Sequence, residues 1–556
     1  MADRVQALQI SARSGAVCGS EWREKALWYG AFLLLAFLVG CVQIEDPDIW
    51  WHLRTGQLIY RRGEVPRTDW FTYTNPDSPW IDLHWGFQLF AAGLWALGGA
   101  PALVLSKSLL TSLTFLLGLL AVRREWPAWQ TVACWLPALL ILSARNQVRP
   151  EMFSLLFLAG ELAILFHART RPRLLWLLPA IQVLWINVHG LFVLGLVLWA
   201  SFVAGEVARS RIRRSGDDTG REPRGVAWRQ LMIVSVLMAV AALVNPYALQ
   251  GALLPLTLIR RLEGSDHAFY SLFSGEFLSV PELLRLQGVG NLFRDLTPGA
   301  LTIAFLTGGL SFTPRAARQR FDPFRLIVFV LFGWLAWKAN RNWALFAVVS
   351  GVVLRANVGD WLASRADGAS SRPCRLLTAV ALGFLLIGVP LNLLSVTRQS
   401  ELPRWFGVDE IPGAFPHAAA QFLGRPGMPR RCYAIDEGAA AVYIFHNGPE
   451  RKVFADARLE VNTRETLERY LAIEGQIVTG DQRLLDRLRE GVSPDAAGHV
   501  ELPALLISLP YLAQNAPLQR GLARLTAYRR VFVDDSAVVF IAHERAEALG
   551  LEELGL

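Results

Sequence analysis

The residues best placed to do chemistry lie just beyond the first long apolar run, in the stretch EDPDIWWHLRTG that begins at Glu45. Glu45, Asp46 and Asp48 put three carboxylates where residues 26–44 would leave a membrane. An acid at a bilayer edge costs free energy unless it is hydrated, paired or bound to a cation. Acidic residues also do little to set membrane orientation, so topology does not explain these three. Pro47 holds the DPD stretch out of the preceding helix. A carboxylate in such a place can accept the proton of an attacking nucleophile. The plain structural reading of Asp46 and Asp48 is a solvated helix cap, and that of Trp50 and Trp51 is an interfacial aromatic belt. His52 and Arg54 follow at once, and the combination of acid, paired indoles, imidazole and guanidinium is more specific than any part of it. The pattern from Trp50 to Tyr60 suits a surface helix ended by Gly63 and Pro66.

Arginines from distant segments could complete the site. Arg145 and Arg149 lie four apart between two apolar runs. Guanidinium suits bidentate phosphate contacts, and the alternative reading is snorkelling to headgroups. Asn187 and His189 flank a short turn, with Gly190 allowing close backbone approach. His189 reads either as a turn residue bonded to a neighbouring helix end or as a contact to phosphate or a sugar hydroxyl. Arg341 sits in another tight turn, Lys338 to Asn342, and is a further candidate phosphate clamp. Asp69, Asp82 and His84 are first-loop candidates of lower weight, and Asp266, His267 and Glu276 lie in a long segment where no spacing singles out one residue. A base together with clamps for a leaving phosphate is what group transfer from a phosphate ester requires.

The elements that must position these residues are apolar helices. Of 556 residues, 53% are hydrophobic and 18% charged, against about 25% charged in ordinary soluble proteins. Apolar segments long enough to span, some with snorkelled ends, lie near 26–44, 101–121, 129–143, 150–168, 173–187, 189–207, 229–245, 297–312, 323–338, 342–357 and 375–396. A shorter segment, His84 to Gly98, ends in Gly-Gly-Ala-Pro. If it crossed, the arginines at 169–173, 209–229 and 315–320 would face outward. If it lies on the outer surface as an amphipathic helix, all of them fall inside, as the positive-inside rule requires. The expected fold is therefore mainly α: a polytopic bundle of about eleven spans, N-terminus cytoplasmic, with outer loops 45–100 and 246–296 in a membrane domain of residues 1–397. Residues 398–556 form a soluble extracytoplasmic α/β domain, with strands expected at 431–436, 452–457, 504–509, 529–534 and 537–542 and a turn at Asp534-Asp535-Ser536. Asp436-Glu437-Gly438 and Asp456-Ala457-Arg458 fall just after strands, where α/β ligand sites form.

The net charge of +8 reflects membrane orientation, and no nucleic-acid partner is expected. Five scattered cysteines imply neither a disulfide framework nor a zinc site. Nucleotide-binding and hydrolytic motifs are absent.

The stretch Asp48 to Arg54, D-I-W-W-H-L-R, resembles the first-loop motif of oligosaccharyltransferase catalytic subunits. With the later G-x-V-P-x-x-D-x-F-T-Y-T, ARNQVRPEMFSLLF, LWINVHG and KVFADARLEV, the chain resembles a group of bacterial multi-pass membrane proteins similar to C-type glycosyltransferases, which include protein mannosyltransferases. The resemblance implies a first-loop carboxylate as general base or metal ligand, with Asp48 the matched acid, Arg54 the matched arginine and Asp46 a second candidate. It implies transfer of a sugar from a polyprenyl-phosphate-linked donor to a glycan, lipid or protein acceptor, on the outer face of a bacterial inner membrane. Metal-dependent oligosaccharyltransferases carry a further acidic pair in the next outer loop. Here that loop, Arg145 to Arg149, is basic, so no cofactor is expected and the metal-free mode is the better analogy. The alternative reading is a transporter or flippase for a lipid-linked saccharide or cell-envelope polysaccharide precursor. That would call for charges within the spans and repeated halves, and only Lys107 and Glu161 stand out there.

Overall fold

The computed structural model describes residues 23–122, 128–214, 225–263, 269–270, 275–287, 296–313, 321–363, 406–481, 483–489 and 501–554. The expected segment 375–396, and Asp266 and His267, lie outside them. The apolar half is a stack of helices: α1 (23–40), α2 (Asp48–Arg62), α3 (Trp85–Leu120), α4 (Ala128–Ala144), α5 (Glu151–His167), α6 (Leu178–Ile186), α7 (Val193–Arg214), α8 (Trp228–Ala241) and α9 (Leu249–Glu263). Then come α10 (Val280–Gln287), α11 (Leu296–Leu310), α12 (Pro323–Lys338) and α13 (Trp343–Ala363). Each expected apolar segment among the described residues falls on one of these. Three helical stretches are long and apolar enough to cross a membrane, Trp85–Leu120, Gly190–Ile212 and Asn340–Trp361, while several others are apolar but shorter.

Helix α3 is two helices joined at a kink. Gly98 and Gly99 leave helical geometry, and Gly99 takes φ 59°, ψ −146°, a conformation open only to glycine at low cost. The kink separates the short segment from the apolar run after it, at the glycines noted in the sequence. The short segment is not a free surface helix, because Phe87, Gln88 and Ala91 are buried under α2. The two helices approach so closely that the Gln88 carbonyl oxygen lies 2.1 Å from where a Cβ on Gly56 would stand.

The turns of the bundle gather at two polar ends. At one end, buried Lys107 donates to the carbonyls of Val42 (2.9 Å) and Asn146 (3.1 Å), tying the α1 exit to the α4–α5 turn. This gives the unusual mid-segment lysine a structural role. At the other end Arg169 bridges Glu206 (2.6 Å) and Asp322 (2.6 Å), and Arg325 pairs with Asp360 (2.6 Å). Asp322 also caps α12 through the Phe324 N–H.

The C-terminal half is a mixed five-stranded sheet, β1 (Arg431–Ala434), β2 (Lys452–Val453), β3 (Ala504–Ser508), β4 (Tyr528–Val533) and β5 (Ala537–Ala542), in the order β2-β1-β3-β5-β4. The first three strands are parallel and the last two antiparallel. The turn expected at Asp534 is held by its carboxylate, which accepts from the N–H groups of Ser536 and Ala537, each at 2.8 Å. Helices α14 (His417–Leu423), α15 (Glu437–Asn447) and α16 (Arg464–Thr479) cover the sheet.

This half is not set apart from the first loop. Residues 71–73 run beside β2, with Val453 N–H bonded to Phe71 and Tyr73 N–H to Val453. Trp50 is fully buried against Phe415, His417 and Phe445, with ring centroids 4.4–5.3 Å away. Trp51 is 5% exposed. Trp50 is thus interior packing between α2 and the C-terminal helices, and Trp51 packs against Trp80 and Arg458; neither forms an interfacial belt. An apolar stripe satisfies itself equally against lipid or protein, and here α15 supplies the surface.

Candidate functional site

The site is built at the end where α1, the α4–α5 turn and residues 275–277 meet. Arg149 lies at its centre. Its Nη2 donates to Asp46 Oδ1 at 2.8 Å and its Nε to the other Asp46 oxygen. Asp48 Oδ2 lies 3.5 Å from the same Nη2, and Nη1 donates to Glu276 at 2.6 Å. Arg145 meets the other Glu276 oxygen at 3.0 Å and Glu151 at 3.4 Å. Neither arginine is therefore simply snorkelling. Arg341, stacked 5.1 Å over Phe277, adds a third guanidinium close enough to act on Glu276.

The two aspartates differ in their surroundings. Asp46 is 2% exposed and accepts two Arg149 bonds plus the Asp48 N–H at 3.2 Å. Asp48 begins α2, keeps 27% of its side-chain surface, and accepts from Trp51 Nε1 at 3.3 Å. Burial, then the charge of Asp46, pushes its pKa up to about 7, with Arg149 opposing. Asp46 is thus the sequestered counter-ion, and Asp48 is the reachable acid that titrates near neutrality. Burial opposes ionisation of Glu276, yet Arg149, Arg145 and Arg341 hold its pKa down at about 2.

Behind the acids stand three imidazoles. His52 contacts Gln88 at 3.3 Å, and burial drives its pKa well below the usual range. His189 shares a 2.7 Å hydrogen bond with Ser154, which also accepts from Trp185. His84 lies between them, with ring centroids 5.5 and 5.4 Å away. Burial opposes its protonation, but Asp82, 3.5 Å away, raises its pKa.

Two expected site residues are turned elsewhere. Arg54 donates to the Gly448 carbonyl at 2.6 Å and pairs with Glu450 at 3.6 Å, so it anchors the C-terminal half and does not join Arg149. Asn187 uses its amide on the carbonyls of Val183 and Val244 and accepts from Trp85 Nε1 at 3.0 Å, a staple between helices. Six residues separate Asp48 from Arg54 on a helix, which places the guanidinium more than a turn and a half along, on the far side of buried Trp51.

Sequence reasoning gave too little weight to three groups. Glu276 was one acid among several in a loop without spacing. Glu437, just after β1, lies close enough to Asp48 to feel its charge; burial, then Asp48, lifts its pKa to about 8. Arg458 is fully buried, paired with Asp456 and Asp69 at 2.6 Å each and 4.3 Å over Trp80. The DAR triplet is thus a clasp joining the sheet to the first loop. A strand-end acid followed by an arginine two residues on was its only sequence signal. Among the described residues, no three His, Cys, Asp or Glu side chains are grouped so as to hold a metal ion. Arg149, Arg145 and Arg341 supply positive charge among these carboxylates.

No family model matches the sequence, and no curated protein matches it either. Solved structures do share the fold. The oligosaccharyltransferase of Archaeoglobus fulgidus tethered to an acceptor peptide carrying an NVT sequon has a TM-score of 0.55 at 13% identity, over 94% of this chain and 74% of that one. Archaeal AglB from the same organism, in complex with an inhibitory peptide and a dolichol-phosphate, gives 0.56 at 13% identity, covering 93% and 74%. Its apo form gives 0.56 at 13%, covering 92% and 73%. Over 92–94% of its length, the chain therefore shares its fold with about three quarters of these oligosaccharyltransferases.

Proposed function

We propose that this chain is a membrane glycosyltransferase that moves a sugar from a lipid-phosphate donor to an acceptor at the outward face, with Asp48 as general base. One observation carries the reading: a part-exposed carboxyl held near neutrality touches Arg149, at the mouth of an apolar helix bundle. The shared fold supports it, because the neighbours were solved with an acceptor peptide and with a dolichol-phosphate. In the proposed step the acceptor's oxygen or nitrogen attacks the anomeric carbon and its proton passes to Asp48. The bond from that carbon to the phosphate oxygen breaks, and the electron pair leaves with the lipid phosphate. Arg149, Arg145 and Arg341 offset the charge that develops there. His189 and His52 are hydrogen-bonding groups for sugar hydroxyls, and burial holds His52 neutral.

The cation in this mechanism is the arginine cluster, so turnover is expected without an added divalent metal. The test is the Asp48→Asn protein, inserted and folded, assayed with a polyprenyl-phosphate sugar and a panel of acceptors. Loss of at least about a hundredfold in kcat is expected from removing a general base. Full retained turnover would remove Asp48 from the mechanism.

A further inference from the structure

An apolar groove of about 960 Å³ opens between α3, α5 and the start of α6, far from the site described above. Its walls include Leu113, Leu117, Leu120, Phe157 and Ile164, with Gly160 among them, and its rim carries His167 and Arg171. Helix α5 begins beside Arg149 and ends at His167, which places that rim about 24 Å from the candidate site at 1.5 Å per residue. The volume lies at the upper end of the roughly 300–1,000 Å³ usual for small-molecule sites, yet the lining is almost wholly apolar.

The rim is cationic and uncommitted. Arg169, two residues before Arg171, is consumed by Glu206 and Asp322. Arg171 is exposed, and no carboxylate among the described residues pairs with it. His167 uses Nδ1 on the Ala163 carbonyl at 2.9 Å, leaving Nε2 without a described partner. Leu177, on the groove wall, and neighbouring Trp176 remain about half exposed. A long hydrocarbon wall ending in a guanidinium and an imidazole matches a long apolar chain joined to a phosphate headgroup, which the acyl lipids of a bilayer supply.

We infer that this groove binds an anionic glycerophospholipid of the leaflet opposite the candidate site, its phosphate on Arg171 and His167 and one acyl chain running along α3 and α5. The inference stands apart from the glycosyltransferase reading, since it uses none of the same residues.

The experiment is native mass spectrometry of the full chain in detergent, titrated with phosphatidylglycerol or with phosphatidylcholine of identical acyl chains. One phosphatidylglycerol per chain should be retained at roughly tenfold lower concentration than phosphatidylcholine. Arg171→Gln should reduce phosphatidylglycerol to the phosphatidylcholine level. Gly160→Leu should abolish retention of both by filling the groove. Gly160→Ala, whose Cβ would meet Leu117 in ordinary contact at 3.6 Å, is the folding control and should bind as wild type. Asp48→Asn should bind as wild type too, whatever its effect on transfer. Equal retention of the two lipids by the wild-type chain would overturn the inference, as would retention untouched by both Arg171→Gln and Gly160→Leu. Displacement of phosphatidylglycerol by an equimolar polyprenyl monophosphate would also overturn it, by assigning the groove to the donor.

Discussion

The sharpest prediction separates two aspartates that the sequence could not tell apart. Asp46 and Asp48 both approach one nitrogen of Arg149, at 2.8 and 3.5 Å, which limits the gap between those carboxylate oxygens to roughly 6 Å. Two unit charges at that distance repel by about 3 kcal/mol at an effective dielectric of about 20, or about two pKa units. Asp48 keeps 27% of its surface, so solvent screens part of this, and roughly one unit is the fairer figure. Asp46→Asn removes that repulsion and leaves Arg149 freer to favour ionised Asp48. The pKa of Asp48, near 7 in the native protein, should therefore fall by about one unit. A general base acts deprotonated, so the acid limb of kcat/KM should start near pH 7 and move about one unit lower in Asp46→Asn. In Asp48→Asn the limb should vanish along with most of the activity. The assay is transfer from a lipid-phosphate sugar between pH 5 and 9. If Asp46→Asn left the limb in place or moved it upward, the assignment of counter-ion and base would be wrong.

Four further outcomes follow. Glu276→Gln frees the guanidiniums that a donor phosphate would need, so KM for the donor should fall severalfold, and a rise confined to acceptor KM would refute the competition. Glu276 is held at about 2 against an ordinary 4.5, so the stability it contributes is complete above pH 4.5 and lost as pH falls towards 2. The Tm difference between wild type and Glu276→Gln should shrink across that window. Arg458→Lys loses the fork that grips Asp69 and Asp456 and should cost about 3 kcal/mol, seen as earlier thermal unfolding and proteolysis of the C-terminal half. Transfer should persist in excess EDTA, and loss restored by manganese or magnesium would refute the metal-free reading.

Much of the architecture could be read from the chain because apolar runs and glycine or proline breaks are local signals. The break at Gly98-Gly99 and the hairpin at Asp534 both fall where sequence chemistry puts them. The arginines at 145 and 149 stood out because the charge pattern puts them on the expected outer side, where guanidiniums need a reason. What stayed hidden depended on contacts between distant segments. Trp50 looks the same against lipid or against Phe445, and nothing near residue 50 announces α15 some 390 residues later. Arg54 matched a motif, but its neighbours in space are Gly448 and Glu450. For the same reason, deleting residues 400–556 is not a clean test of the C-terminal half. Trp50 and Trp51 would lose packing partners, and Asp69 its Arg458, so the first loop would suffer along with the deleted half.

Charge counting links these observations. Three guanidiniums, Arg145, Arg149 and Arg341, face Asp46, Glu151 and Glu276. Those six charges balance, so ionised Asp48 is a surplus anion, which is a physical reason for its reluctance to lose a proton. Adding a donor phosphate while Glu276 stays would deepen that surplus and push Asp48 further from a basic form. Donor binding and an active base are compatible only if the phosphate takes the place of Glu276 among the arginines. If the proposed donor binds among these arginines, its phosphate would replace the Glu276 carboxylate there. A donor complex with Glu276 still bonded to both Arg145 and Arg149 would break this chain of reasoning at its first link.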